Sequence, residues 1–184
     1  MTTAHDARAL LSRRALVRGG VASVATTVVG GCLPAAVTAA QVPVQLPGTS
    51  AEANTVLIRR WYDEVWVARN PEAMDALYAP TWVGHFTTGE LPDPASHKAA
   101  AVGFQAAFPD AQYTVDPLFG EGDYVSSLVT IRATHLGVFR GLAPTGLPIT
   151  WVQMNIHRVA GGRIAEQWSQ FDLLTALRQM GGGC

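Results

Sequence analysis

At Pro109 the hydrophobic pattern of this chain switches from a helical repeat to a strand repeat, and that switch points to an α+β architecture. Upstream, Ile58, Trp61, Val65 and Ala68 recur at helical spacing behind Thr49-Ser50-Ala51-Glu52, which reads as a capping box, so a helix is expected over about 51 to 69. Asn70-Pro71 opens a second, short helix that runs to about Tyr78 and is stopped by Pro80. Trp82 to Thr87 reads as a short strand, and a third helix is expected from Pro94 to Phe108. Downstream, Gln112 to Phe119, Tyr124 to His135, Ile149 to Val159 and Arg163 to Phe171 alternate as strands, separated by Glu121-Gly122-Asp123, a loop over 137–148 and Ala160-Gly161-Gly162. These strands form an antiparallel meander, the helices cover one face of the curved sheet, and Leu173 to Met180 closes as a short helix.

Over 184 residues, 48% hydrophobic and 15% charged positions argue for one globular domain rather than disorder, a repeat array or a two-domain enzyme. A domain of this size buries roughly 70% of its unfolded surface, which leaves room for a pocket between sheet and helices. Charge is unevenly placed. Residues 1–40 hold Arg8, Arg13, Arg14 and Arg18 against Asp6, whereas the remainder has 9 Lys and Arg against 13 Asp and Glu. An acidic domain without a basic stripe repels phosphate backbones, so nucleic-acid binding is not expected.

Ser12-Arg13-Arg14-Ala15-Leu16-Val17 sets two arginines before the uncharged run Gly19 to Ala51, whose apolar centre is Val21 to Val29. This is the outline of a twin-arginine export signal over 1–40, and the apolar centre is too short for the ~20 residues of a permanent membrane span. Two exits are open. Cleavage after Thr38-Ala39-Ala40 would free the chain from Gln41 onward, with 41–50 a linker; alternatively Val29-Gly30-Gly31-Cys32 resembles a lipobox, and Cys32 would carry a lipid anchor. The chain is expected in the periplasm, outside the cell or lipid-anchored at its surface. Cys184 ends a Gly-rich tail over 181–184, so no disulfide with Cys32 is expected.

The five histidines and two cysteines show no metal-ligand spacing, and no Gly-rich loop precedes a helix as a phosphate cradle; neither a metal nor a nucleotide cofactor is implied. His5, His97 and His157 read as signal or surface residues. On the strand from Ile149, Val152, Met154 and Ile156 share an apolar face while Trp151, Gln153 and Asn155 share the other, a pattern that suits a small-molecule cavity and equally a dimer surface. On a regular last strand, 164, 166, 168, 170 and 172 share one face and 167, 169 and 171 the other, and a bulge near its end would mix them. An inward even face would bring Trp168, Gln170 and Asp172 into the cavity with Asp172 as base; an outward one leaves Asp172 as a cap for the final helix.

Arg59-Arg60-Trp61-Tyr62, Leu77-Tyr78-Ala79-Pro80, Trp82-Val83-Gly84-His85, Phe104 to Asp110, Gly120-Glu121-Gly122-Asp123, Thr134-His135-Leu136-Gly137, Pro144-Thr145-Gly146 and Gly162-Arg163-Ile164 follow one another in an order and spacing that resembles the SnoaL-like polyketide cyclase (ester cyclase) family, over about residues 52 to 180. The resemblance implies the nuclear transport factor 2-like cone, commonly a homodimer, and cofactor-free closure of a polyketide ring by intramolecular aldol condensation. Such chemistry needs a base, donors for the enolate and a dry cavity. The family's Asp acid/base on the last strand corresponds to Ser169, and a pocket His on the preceding strand to Asn155, so the cyclase mechanism does not carry over unchanged.

His85 stands where the family often has His. Asp172 and His85 are therefore the expected proton-transfer residues, with His135, Gln153 and Asn155 as donors and Trp151 and Trp168 as walls, beside Ser169 and Gln170. His135 could equally cap the loop it enters. The same fold hosts isomerases, hydrolases and binding modules, and loss of Asp at position 169 favours a non-catalytic binder.

Overall fold

The computed structural model describes residues 49–181; the segment expected to be an export signal, Cys32 and Cys184 lie outside the described residues. Helix α1 (Ala51–Trp61) runs directly into a π-helical segment (Tyr62–Val67). A 3-10 turn (Pro71–Ala73) and α2 (Met74–Leu77) lead into β1 (Tyr78–Phe86) and the short β2 (Gly89–Leu91). Then come α3 (Pro94–Ala107), β3 (Gln112–Glu121), β4 (Tyr124–Thr134), β5 (Pro148–Ala160), β6 (Arg163–Phe171) and α4 (Leu173–Gln179). The strands make one curved sheet in the order β2-β1-β6-β5-β4-β3, with the expected antiparallel meander from β3 to β6 and β1 added parallel to β6. This is the α+β, nuclear transport factor 2-like arrangement.

Local chemistry explains where the elements depart from the periodic pattern. The cap of α1 is Ser50, whose Oγ accepts from the Ala53 amide at 3.2 Å, one residue on from the Thr49 box. Strand β1 begins at Tyr78 rather than Trp82. Pro80 lies where β1 and β6 stop pairing, between Tyr78 and Val83, and a residue without an N–H is tolerated there. Only three residues long, β2 offers too little alternation to be read.

The π-helical turn is fastened from outside itself. The Ala68 amide reaches back to the Asp63 carbonyl at 2.8 Å, and Gln105 of α3 donates its side-chain amide to the Val65 carbonyl at 2.8 Å. Arg69, in the left-handed region at φ 56°, donates to the carbonyls of Gln105 (2.6 Å) and Phe108 (3.3 Å), closing the C-terminal end of α3. Ile58, Trp61 and Val65 share one buried cluster with Val125, Val129, Ile131, Val159 and Ile164, each such side chain contributing on the order of 1.5–3 kcal/mol.

The loop after β4 is docked just as firmly. The amides of Leu136 and Gly137 donate to the Ala107 carbonyl at 3.0 Å each, and a Cβ at Gly137 would stand 2.4 Å from the Ala106 carbonyl oxygen, so only glycine fits. His157, expected at the surface, is wholly buried: it is in phase with Asn155 on the inner face of β5, and strand phase overrides its polarity.

Candidate active site

Between the inner face of the sheet and the helices lies a cavity of about 360 Å³, within the range of small-molecule sites. Trp61, Tyr62 and Trp66 line it from the first helix, His97 and Phe104 from α3, and Val138, Phe139 and Arg140 from the loop after β4. The sheet contributes Trp151, Gln153 and Asn155 from β5 and Gln167 and Phe171 from β6. The amide-and-aromatic face of β5 is thus the inner one, while Val152, Met154 and Ile156 are exposed at 45%, 59% and 43%.

A bulge decides which face of β6 joins it. The β5–β6 register steps by one between Arg158↔Glu166 and Val159↔Ile164, which makes Ala165 the extra residue, at the start of the strand rather than near its end. Beyond it, Gln167 and Ser169 are buried inward with Phe171, and Glu166, Trp168 and Gln170 turn outward.

The inward polar groups form one connected network. Tyr62 Oη shares a hydrogen bond with Ser127 Oγ at 2.8 Å and accepts from Asn155 Nδ2 at 3.0 Å. Gln153 Nε2 donates to Asn155 Oδ1 at 3.0 Å and to Ser169 Oγ at 2.7 Å. Gln167 Nε2 adds a long contact of 3.5 Å to Asn155 Oδ1, and its Oε1 is buried without a partner among the described residues. Burial raises the Tyr62 phenol well above its ordinary value, so it stays protonated and able to donate. His97 is a second correction to the expected surface histidines: only 3% exposed, it lines the cavity, and burial pushes its pKa down to about 3, so the ring is neutral.

The two residues expected to transfer protons lie elsewhere. Asp172 is exposed at the N-terminus of α4, where Oδ1 accepts from the Thr175 amide at 2.9 Å; the hydrogen bonds from Thr175 hold its carboxyl below the usual range. It is the helix cap, and an ionised cap outside the cavity is no base for a ligand within it. His85 sits on the outer face, bonded through Nδ1 to Glu90 at 2.8 Å and through Nε2 to Glu166 at 3.0 Å and stacked on Trp168 at 5.2 Å. With carboxylates at both nitrogens its pKa is raised, first by Glu90 and then by Glu166.

Gln170 and Trp168 share that outer side. His135 is buried and holds the loop: its amide donates to the Leu147 carbonyl, its carbonyl accepts from Thr145 and Gly146, and Nδ1 lies 3.1 Å from Thr145 Oγ1. Of the expected residues, then, Trp151, Gln153, Asn155 and Ser169 come together, and His85, Asp172, His135, Trp168 and Gln170 do not. No carboxylate lines the cavity among the described residues, nor do three His, Cys, Asp or Glu there cluster as a metal site.

Tyr62, His97 and Gln167 escape the sequence pattern for different reasons. Tyr62 stands on the same helical face, four positions after Ile58 and three before Val65, and is passed over because that stripe reads as core packing rather than as a cavity wall. His97 does stand at helical spacing with Ala101 and Gln105, a stripe legible once polar members are admitted. Gln167 depends on the bulge, which no residue type announces.

A curved α+β sheet closed by helices over a partly polar cavity defines a nuclear transport factor 2-like domain. The chain matches the model of the SnoaL-like polyketide cyclase family over residues 56–180 and belongs to that family. Among solved structures it is similar to IdmH of Streptomyces antibioticus, provisionally named a polyketide cyclase, at 33% identity and a TM-score of 0.61 over 70% of this chain and 98% of that one. A protein of Acidithiobacillus ferrooxidans, also provisionally named a polyketide cyclase, shares 28% identity at a TM-score of 0.63, covering 74% and 100% of the two chains. AclR of Streptomyces galilaeus, provisionally named a hydroxylase, shares 25% identity at a TM-score of 0.67, covering 73% and 89%. No curated protein matches. One fold thus carries names from two reaction classes, and chemistry has to be argued from the site.

Proposed function

We propose that this protein acts on a small, largely apolar polyketide-like carbonyl compound, holding it folded in the cavity and polarising a carbonyl with neutral donors, as a cofactor-free cyclase-type protein. The observation that carries this is the Tyr62–Asn155–Gln153 network at the floor of a largely apolar cavity. Neutral N–H and O–H groups in a water-poor site stabilise developing negative charge on an oxygen, and the walls fix the substrate's fold. With Ser at 169 and Asn at 155, no carboxylate among the described residues is placed to abstract the proton, so water must take it up from a strongly acidified substrate position, and the aldol alkoxide takes a proton back from water.

The missing carboxylate also favours a second reading, a binding module without chemistry. Deuterium exchange at the activated CH₂ of aromatic β-keto esters separates the two. The cyclase-type reading expects exchange above buffer that falls in Tyr62→Phe and in Asn155→Leu; binding without exchange replaces it with the binder.

Two further proposals rest on other parts of the chain. The Ser12-Arg13-Arg14 pattern supports export, to be tested by following the full chain in cells with and without Arg13→Lys and Arg14→Lys. The outward Val152, Met154 and Ile156 support a homodimer through the outer face of the sheet, which Met154→Glu should dissociate in sedimentation.

A further inference from the structure

The hydrogen-bond direction at His97 is set from the core outward. An indole N–H can only donate, and Trp61 Nε1 donates to Tyr78 Oη at 2.9 Å. The same Tyr78 oxygen lies 2.9 Å from His97 Nδ1. Were the imidazole proton on Nδ1, Tyr78 would accept from both neighbours. Its own hydroxyl hydrogen would then be left without an acceptor in a site 2% exposed, at the full desolvation penalty. The run Trp61 Nε1–H, Tyr78 O–H, His97 Nδ1 is therefore one-directional and leaves the proton on Nε2.

The ring is also fixed in space. It stacks on Trp82 at 5.0 Å and 14° and on Tyr78 at 5.8 Å and 19°, with Phe86 edge-on at 5.1 Å. Both nitrogens of His157 are sealed in the core, and neither meets a side-chain partner among the described residues; His97 Nε2 is not among such sealed atoms, has no partner among the described residues, and belongs to a ring that lines the cavity. We propose that His97 is a ligand-binding residue: a neutral imidazole presenting a fixed Nε2–H donor to a carbonyl oxygen, which makes the α3 side of the cavity a subsite selective for hydrogen-bond acceptors. Side-chain amides such as Gln153 and Asn155 offer both donor and acceptor and do not discriminate in this way; a histidine whose proton is locked does. The proposal rests on the cavity being a carbonyl-compound site and names what one side of it selects.

The test uses the full chain labelled with ¹⁵N-histidine. Nitrogen NMR should report the Nε2–H form for His97, and Tyr78→Phe, which removes the donor to Nδ1, should let the proton distribute over both nitrogens. Two probes of one shape, 1-tetralone with a carbonyl and tetralin without, are then titrated into wild type and His97→Phe. The tetralone-to-tetralin affinity ratio should fall by about five- to tenfold in the variant while tetralin affinity holds. An Nδ1–H signal in wild type, or an unchanged ratio in His97→Phe, overturns the donor role and leaves the cavity reading intact. Failure of both probes to bind overturns the cavity reading and this proposal with it. The tautomer measurement needs no variant, so a misfolded His97→Phe does not shield the proposal.

Discussion

The two faces of the sheet reverse the usual division of labour. The inner face, buried under helices, carries Gln153, Asn155, Gln167 and Ser169 in a neutral network, while the outer face carries the charges His85, Glu166 and Arg158 beside the exposed Val152, Met154 and Ile156. Titratable groups of the sheet's outer face thus sit where they are solvated and paired, and its inner face keeps groups that are neutral across physiological pH, with Arg140 of the loop after β4 the charged side chain at the cavity among the described residues. Proton-transfer roles for His85 and Asp172 fit the residue types but not this partition.

The sharpest way to break the contrast is to place one charge on each face. Gln167→Glu buries a carboxylate without a cationic partner and should cost roughly 3 kcal/mol or more in urea unfolding, whereas Gln170→Glu, exposed on the same strand, should stay within about 0.5 kcal/mol. Equal costs would mean the assigned faces of β6 are wrong.

Acid is the next lever, because the two faces respond with opposite sign. His97 and His157 are held neutral, pushed to about 3 by burial, yet in the unfolded chain they take up protons near pH 6.5. Stability should therefore fall as pH drops below about 6.5, at up to roughly 1.4 kcal/mol per pH unit for each. His85, raised by Glu90 and Glu166, contributes stability that is present below its unfolded value and lost as pH rises through its folded one. Melting temperatures from pH 4 to 8 should show the acid limb flattened in His97→Gln and the alkaline decline removed in His85→Gln.

Smaller effects refine the picture. Tyr62→Phe leaves Asn155 Nδ2 and Ser127 Oγ each short of a partner and should cost about 1–2 kcal/mol, together with weaker binding of β-keto esters. Asp172→Ala should cost about 1 kcal/mol as a lost cap and leave ligand affinity unchanged; a loss of affinity would return Asp172 to the site.

What the sequence made legible follows the same division. Periodicity located the three helical regions and the four-strand meander because regular elements repeat one environment many times. It found Trp151, Gln153 and Asn155 because β5 alternates without interruption along its pairing with β4. It failed on β6 because a single extra residue, Ala165, shifts the phase, and alanine is unremarkable on either face. It failed on His97 and His157 because a polar residue was read as a surface residue, when their places on α3 and β5 turn them inward. Parallel pairing of β1 with β6 joins elements about eighty residues apart, beyond the reach of any local pattern.

The π-helical stretch from Tyr62 to Val67 has a consequence for how this cavity tolerates change in chain length. Its wide turn places Trp66 five positions after Trp61 yet with ring centroids 5.8 Å apart and both rings on the cavity, an alignment an α-helix would rotate away. Deleting one residue between them would let the backbone relax into ordinary helix, and Trp66, then four positions after Trp61, would stay beside it on the wall. Straightening the turn at full length would instead carry Trp66 round the helix and recut the space available to a ligand. The spare residue of the wide turn is therefore one the wall can lose, provided the turn goes with it.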